Sequence, residues 1–340
     1  MNIVGSSRFL GIFNSILLLV AVTVPQLVEA KTWQAAVGAQ SHDLGRQALA
    51  FLPNDVWVHA GDSLTWTFST NEIHTVTFLK QDVTPQQIRP ANTVGCTGGL
   101  APDGRTADPS SFNGSACVNS GRQTSGSYTV TFPTAGNFKL VCLVHANMTG
   151  TVHVLNPSAP LPYDQAYYDF VANRQANALL SDGAGLLGQA TFTAEQAGAN
   201  AISAGIGEAI ATGGGSNSLS VMRFLRDTII IRTGDTVEWT NLDPVTPHTI
   251  TFGQEPSNPN PPSINVSLAP DGARQATIGS LNDSVNSGFI QAAPQDRTNL
   301  AQAPLGVTRF RVTFTTPGTF NYICALHDGL GMVGKIIVRP

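Results

Sequence analysis

The chain has 340 residues, 42% hydrophobic and only 12% charged, with 33 Gly and 21 Pro. That length suits two ordinary domains, and the turn-rich composition favours β-sandwiches over helical bundles. A net charge of −4, with no basic cluster or charged run, excludes nucleic acid as a partner.

Residues 1–30 have the pattern of a signal peptide. Arg8 precedes an apolar run from Phe9 to Val24, and Val28-Glu29-Ala30 offers small residues where a peptidase checks them. Cleavage is expected after Ala30. An uncleaved anchor is the alternative, but the run is short and carries Asn14 and Ser15. No later run is long and apolar enough to span a membrane, so the expected location is periplasmic or extracellular, with no stable span after cleavage.

Residues 31–155 form the first expected β domain. Val56-Trp57-Val58-His59 and Leu64-Thr65-Trp66-Thr67-Phe68 alternate about a Gly61-Asp62 turn. His74-Thr75-Val76-Thr77-Phe78 reads as a further strand. A long polar loop carries Cys96 and Cys117, after which Tyr128–Phe132, Phe138–Cys142 and Gly150–Val154 resume the strand pattern. Residues 156–187 read as a linker. Pro157, Pro160 and Pro162 open it, a helical period runs from Tyr163, and Asp182-Gly183 is expected to end the helix.

The second domain, 188–340, repeats the plan of the first. Gly234-Asp235…Trp239 matches Gly61-Asp62…Trp66, and His248-Thr249-Ile250-Thr251-Phe252 matches His74 to Phe78. Leu268-Ala269-Pro270-Asp271-Gly272 matches Leu100 to Gly104, and Val312 through Cys324 matches Val130 through Cys142. Four blocks recurring in one order indicate an internal duplication.

Each copy ends its last match on the same chemistry. A β-rich run delivers Cys142, then His145 and Met148; its counterpart delivers Cys324, then His327 and Met332. Each copy has a further His upstream, His74 or His248. Thiolate, two imidazoles and a thioether make a soft nitrogen-and-sulfur set that suits copper far better than magnesium or calcium. Assigning Cys142 and Cys324 to metal leaves Cys96 and Cys117 as the natural disulfide pair, which requires an oxidising compartment. Four cysteines allow three pairings, and a Cys142–Cys324 bond would abolish both sites.

These blocks, Gly-Asp-x-x-x-Trp, His-Thr-Val/Ile-Thr-Phe and Gly-x-Phe-x-x-x-Cys-x-x-His with a following Met, resemble the cupredoxins, the small blue copper proteins. Cys324-x-x-His327-x-x-x-x-Met332 has the plastocyanin and pseudoazurin spacing, and Cys142-x-x-His145-x-x-Met148 the shorter amicyanin-like one. The resemblance implies an all-β protein of two Greek-key sandwiches joined by a linker with a short helix. It implies two copper ions per chain, cycling between Cu(I) and Cu(II), and transient redox partner proteins. It also implies that His145 and His327 show a ring edge to solvent. Their apolar rim would be Leu143, Val144 and Ala146 in one copy, Leu326 and Leu330 in the other.

Copper oxidases and nitrite reductases also combine several such domains, but need a second copper class held by extra His. Val141 and Leu143 flank Cys142, Ile323 and Ala325 flank Cys324, and only His42, His59 and His153 lie outside the two sets. The expectation is therefore an electron carrier rather than an enzyme. The alternatives are a copper storage or delivery protein, or an oxidase or nitrite reductase subunit with a second copper centre between subunits.

Overall fold

The computed structural model describes Met1, Gly5 and residues 29–81, 105–145, 147–196, 198–291 and 307–340. The signal segment, apart from Met1, Gly5, Glu29 and Ala30, lies outside the described residues, as do Cys96, the first Leu-Ala-Pro-Asp-Gly block and Ala146.

Each half is a two-sheet sandwich, so the two-sandwich expectation holds. In the first, the strands Thr32–Gln40, Ser63–Phe68 and Gly126–Thr131 lie side by side. The facing sheet holds Asp55–His59, Thr149–Leu155, Gly136–Val141 and Thr77–Phe78. Alternation decides which side chains turn inward. Leu64, Trp66 and Phe68 are buried, as are Tyr128 and Val130 from the neighbouring strand. The second half repeats this with Val237 and Trp239 against Phe310 and Val312, packed on Phe252, Tyr322 and Ile336. Each large side chain fully buried in this way contributes roughly 1.5–3 kcal/mol.

The turns repeat as well as the strands. Gly61 and Gly234 take φ of 100° and 95°, which a side chain would resist. Asp62 and Asp235 then accept the backbone N–H groups of His59 and Arg232.

Two features depart from the expected layout. First, the linker helix is not short and does not stop at Asp182-Gly183: it runs from Gln165 to Gln196. Asp164 caps its start through the N–H of Tyr167 at 2.9 Å. Gly183 ends nothing, because a Cβ there would stand 3.1 Å from Leu219 and 3.4 Å from Arg46. Its missing side chain lets the helix lie close on the strands beneath. The first strand of the second half, Ala201–Ala211, begins only after the helix.

Second, the domains are not beads on a string. The strand Arg46–Leu52 of the first half pairs antiparallel with Ser216–Leu225 of the second, from Leu49↔Ser218 to Arg46↔Val221. A separate small core, Ala48, Ala50, Leu52, Leu179 and Leu219, seals this seam under the helix. Asn54 Nδ2 to Thr212 Oγ1 at 2.5 Å and Thr151 Oγ1 to the Gly214 carbonyl at 2.7 Å cross it. The hairpins that build the seam were not picked out from sequence. Their Ala, Gly and Ser content (Ala35-Ala36-Val37-Gly38-Ala39, Ser203-Ala204-Gly205) has weak strand propensity and acquires its meaning only through packing.

Candidate metal centres

The strand Gly136–Val141 ends where Cys142 begins, and Gly318–Ile323 ends where Cys324 begins. Each Cys therefore opens a loop at one end of its sandwich. The loops differ by two residues, yet close in the same way. Cys142 N–H donates to the Met148 carbonyl at 3.0 Å, and Cys324 N–H to the Met332 carbonyl at 3.0 Å. A residue in the left-handed region turns the chain just before each Met: Asn147 at φ 58° and Gly331 at φ 86°. The longer loop takes up its extra residues in one tight turn, Asp328–Leu330.

The upstream His of each half reaches the loop from the opposite strand. His74 exchanges both backbone hydrogen bonds with Gln123, and His248 does so with Ile290. The following Thr pins the Cys. Thr75 N–H points at Cys142 Sγ (3.4 Å) while Thr75 Oγ1 accepts from Leu143 N–H (2.8 Å). Thr249 does the same for Cys324 (3.3 Å) and Ala325 (2.8 Å). Backbone donors aimed at sulfur favour a thiolate.

Both sets converge. His74, Cys142 and His145 bring their donor atoms within 4.8 Å of one another, as do His248, Cys324 and His327, all six residues buried. The Nδ1 atoms face each other at 3.2 Å in the first group and 3.1 Å in the second. Sulfur lies 3.8 Å from His145 Nδ1, 3.8 Å from His248 Nδ1 and 3.3 Å from His327 Nδ1. Nitrogens bound to one ion at about 2.0 Å, roughly 100–120° apart, would sit at about this separation. The donor set thus fits a small soft cation such as copper. Met148 and Met332 are buried in the same cores as Cys142 and Cys324. Neither Cys142 nor Cys324 is in a disulfide; the proposed partner of Cys117 lies outside the described residues.

The electrostatics suit thiolate ligands. Burial pushes the Cys142 thiol up, but hydrogen bonds and charge from His145 and His74 outweigh it and hold it well below its ordinary value. At Cys324 burial acts the same way and is outweighed by the charge of His327 and the bonds to His248 and His327.

Several contributors escaped the sequence reading. Val118-Asn119-Ser120-Gly121 and Val285-Asn286-Ser287-Gly288 are a fifth repeated block. Ser120 and Ser287 take the N–H of Val76 and Ile250 at 2.9 Å, and Asn119 and Asn286 take the hydroxyls of Thr77 and Thr251. The block therefore fixes the His-bearing strand, and its exact recurrence was the available signal. Gly38 and Gly205, at φ 73° and 77° in matching strand irregularities, lie over His74 Nε2 and His248 Nε2. A Cβ at Gly38 would sit 2.7 Å from the ring nitrogen.

Two buried acids complete the surroundings. Asp243 Oδ2 lies 3.6 Å from His248 Nε2, within ion-pair reach, while its Oδ1 accepts from Val245 and Thr246 N–H. Burial lowers the His248 pKa, but Asp243 and Cys324 more than offset it and raise it to about 9. Glu72 Oε1 accepts from His145 Nε2 at 3.2 Å. Burial pushes this carboxyl up, yet the His145 bond and the charges of His327, His145 and His74 bring it down to about 2. A carboxylate on Nε2–H leaves the Nδ1 lone pair pointing at the sulfur, the tautomer a metal needs.

One expectation is corrected. His145 and His327 do not show a ring edge to solvent: they are 2% and 4% exposed, and Glu72 of the first domain lies against both rings. Of the expected apolar rim, Val144 and Leu326 are exposed, Leu143 is half-buried and Leu330 is buried. Among the remaining histidines, His42 is exposed. His59 bonds the Ala159 carbonyl, and His153 stacks on Trp57 at 4.4 Å between Asp55 and Asn137.

Comparison with known proteins gives the same outline. The family model for copper binding proteins, plastocyanin/azurin family, matches residues 39–155 and again 209–339. The plastocyanin of Synechococcus sp. is 29% identical over 112 residues, 33% of this chain and 60% of the relative. That of Prochlorothrix hollandica is 30% identical over 109 residues, 32% of this chain and 57% of the relative. The chain thus spans about three-fifths of the length of these relatives. Oxidised plastocyanin from Dryopteris crassirhizoma aligns at 19% identity over 41% of this chain and 99% of its own, with a TM-score of 0.22. A reduced amicyanin variant aligns at 18% identity over 42% and 83%, with a TM-score of 0.23. With two family matches that together cover more than half of its length, the chain belongs to the copper-binding plastocyanin/azurin family.

Proposed function

We propose that the protein is an exported electron carrier with one mononuclear blue (type 1) copper per domain. His74, Cys142, His145 and Met148 would hold one ion, and His248, Cys324, His327 and Met332 the other. The observation that carries this reading is the pair of matching, buried His-Cys-His groups within a copper-binding family. Copper in such a set supplies a one-electron couple and an intense thiolate absorption. The chain's own residues keep the donor atoms in place: Thr75 and Thr249 hold the sulfurs, and Gly38 and Gly205 let the backbone pass over the imidazoles. A frame fixed by backbone bonds resists rearrangement, as fast electron exchange requires.

Burial bears on the alternatives. A delivery protein must let an acceptor's ligands reach the ion, whereas all six His and Cys donors are buried. A second copper class would need spare histidines; of the three outside the two sets, His59 and His153 are held by other partners, which leaves the exposed His42. Residues 1–30 are taken as the signal peptide and Cys96–Cys117 as a disulfide, both in keeping with an oxidising compartment. Domain limits of 31–155 and 188–340 are retained, the helix through Gln196 overlapping the second.

Redox cycling of the copper-loaded protein against a small donor and acceptor tests the reading. Reversible bleaching and recovery of the blue band, with copper retained and no turnover of oxygen or nitrite, is expected. Loss of copper to an apo-acceptor on each cycle would favour delivery instead.

A further inference from the structure

One buried acid touches both metal groups. Glu72 stands two residues before His74 and is 7% exposed. Its Oε1 is hydrogen-bonded by His145 Nε2, and its Oε2 lies 3.8 Å from His327 Nε2 in the other domain. The second copy has no such acid: Thr246 stands two residues before His248 and bonds Ser220. Glu72 is therefore not part of the duplicated frame. It sits on one copy and reaches the ligand loop of both.

The seam makes this reach possible. Pairing of Arg46–Leu52 with Ser216–Leu225 fixes one half against the other. Arg223 extends the clamp, donating to the Leu330 carbonyl in the second ligand loop and to the Asp43 carbonyl in the first domain. The ring edges expected to face solvent face a common carboxylate instead. Burying a carboxylate is costly unless positive charge lies close by. The groups beside Glu72 are the His145 and His327 rings, on which a bound copper ion would place positive charge.

We infer that Glu72 is a positioning residue shared by both sites, orienting the His145 and His327 rings and linking them, so that the two sites behave as a coupled pair. This rests on the two-copper reading. A negative charge in a poorly solvated place favours the more positive, oxidised form of whatever it faces. Glu72 therefore holds down the reduction potentials of both sites together. With copper bound at both sites, an electron moving from a reduced to an oxidised site would only exchange their states and would need no further reactant.

Glu72→Gln in the full chain tests this, with Asp243→Asn as a control confined to the second site. Copper content and blue absorption should persist in Glu72→Gln. Both potentials should rise, each by about tenfold in the one-electron equilibrium, or 59 mV. Asp243→Asn should move the second site alone. A second readout needs no copper. In the metal-free chain the Nε2 nitrogen resonances of His145 and His327 should both shift on Glu72→Gln, His145 more. In the unsubstituted chain both ring N–H protons should exchange slowly with water, a measurement that stands even if the variant does not fold. A shift in potential or nitrogen resonance at His145's site alone, or rapid exchange at His327, would overturn the shared link. Failure to bind copper would defeat the functional reading while the nitrogen resonances still report on Glu72.

Discussion

The first site gathers His74, Cys142 and His145 beneath Gly38; the second gathers His248, Cys324 and His327 beneath Gly205. The sulfur-pinning threonines, the Asn-Ser clamps and the Cys-to-Met backbone closure are the same in both. The acids are not. The second site has Asp243 beneath its upstream His, whereas the first has Glu72 beside its loop His, reaching across to His327. The repeated frame thus specifies what is bound. The unrepeated acids distinguish the sites, and one of them, Glu72, reaches both.

The largest expected effect separates the sites. Each set takes its His and Cys from its own half, so Cys142→Ser should abolish the blue absorption of the first site and leave that of the second. Cys324→Ser should do the converse. A serine oxygen is a harder, weaker donor for copper than thiolate. Absorption spectra with metal analysis would check this, and loss of both signals from either change would show that the sites share a ligand.

Next in size is a change at the seam, which tests whether the halves are separate bodies. Leu179 is buried between helix and strands with Leu219, Ala48 and Ala50. Leu179→Ala should cost about 2–4 kcal/mol. In urea both sites should lose their signals together at a lower midpoint. Separate bleaching of the two sites would mean that the seam does not couple them.

Smaller changes address each frame from its own side. Gly38→Ala and Gly205→Ala each force a side chain into the left-handed region, at about 1–2 kcal/mol, and press on one imidazole. Each should disturb the spectrum of its own site only. The smallest effect is expected from Asp243→Asn, which keeps the acceptor for Val245 and Thr246 while removing the charge near His248. Voltammetry should show a modest rise in the second site's potential and none in the first.

What could be read from the sequence follows the range of the interactions. Six of the eight proposed ligands were visible because Cys-x-x-His and the following Met lie within one loop and recur, and His74 and His248 because each opens a repeated His-Thr-x-Thr-Phe block. The sandwiches were visible because alternation around Trp66 and Trp239 is a local pattern. The helix end was misplaced because Gly183 satisfies a packing demand from Leu219, which sequence spacing cannot show. The burial of His145 and His327 has the same kind of cause: both rings lie against Glu72, and for His327 that contact joins residues far apart in the chain. Glu72 was readable only as a difference between copies, where the second has Thr246.

Copper stoichiometry with a quantitative absorption spectrum of the loaded, unsubstituted protein tests the central claim most directly. Two coppers per chain are expected, both contributing strong thiolate-to-copper absorption, with two resolvable components because the loops and the nearby acids differ. One copper per chain, or two of which only one is blue, would contradict it.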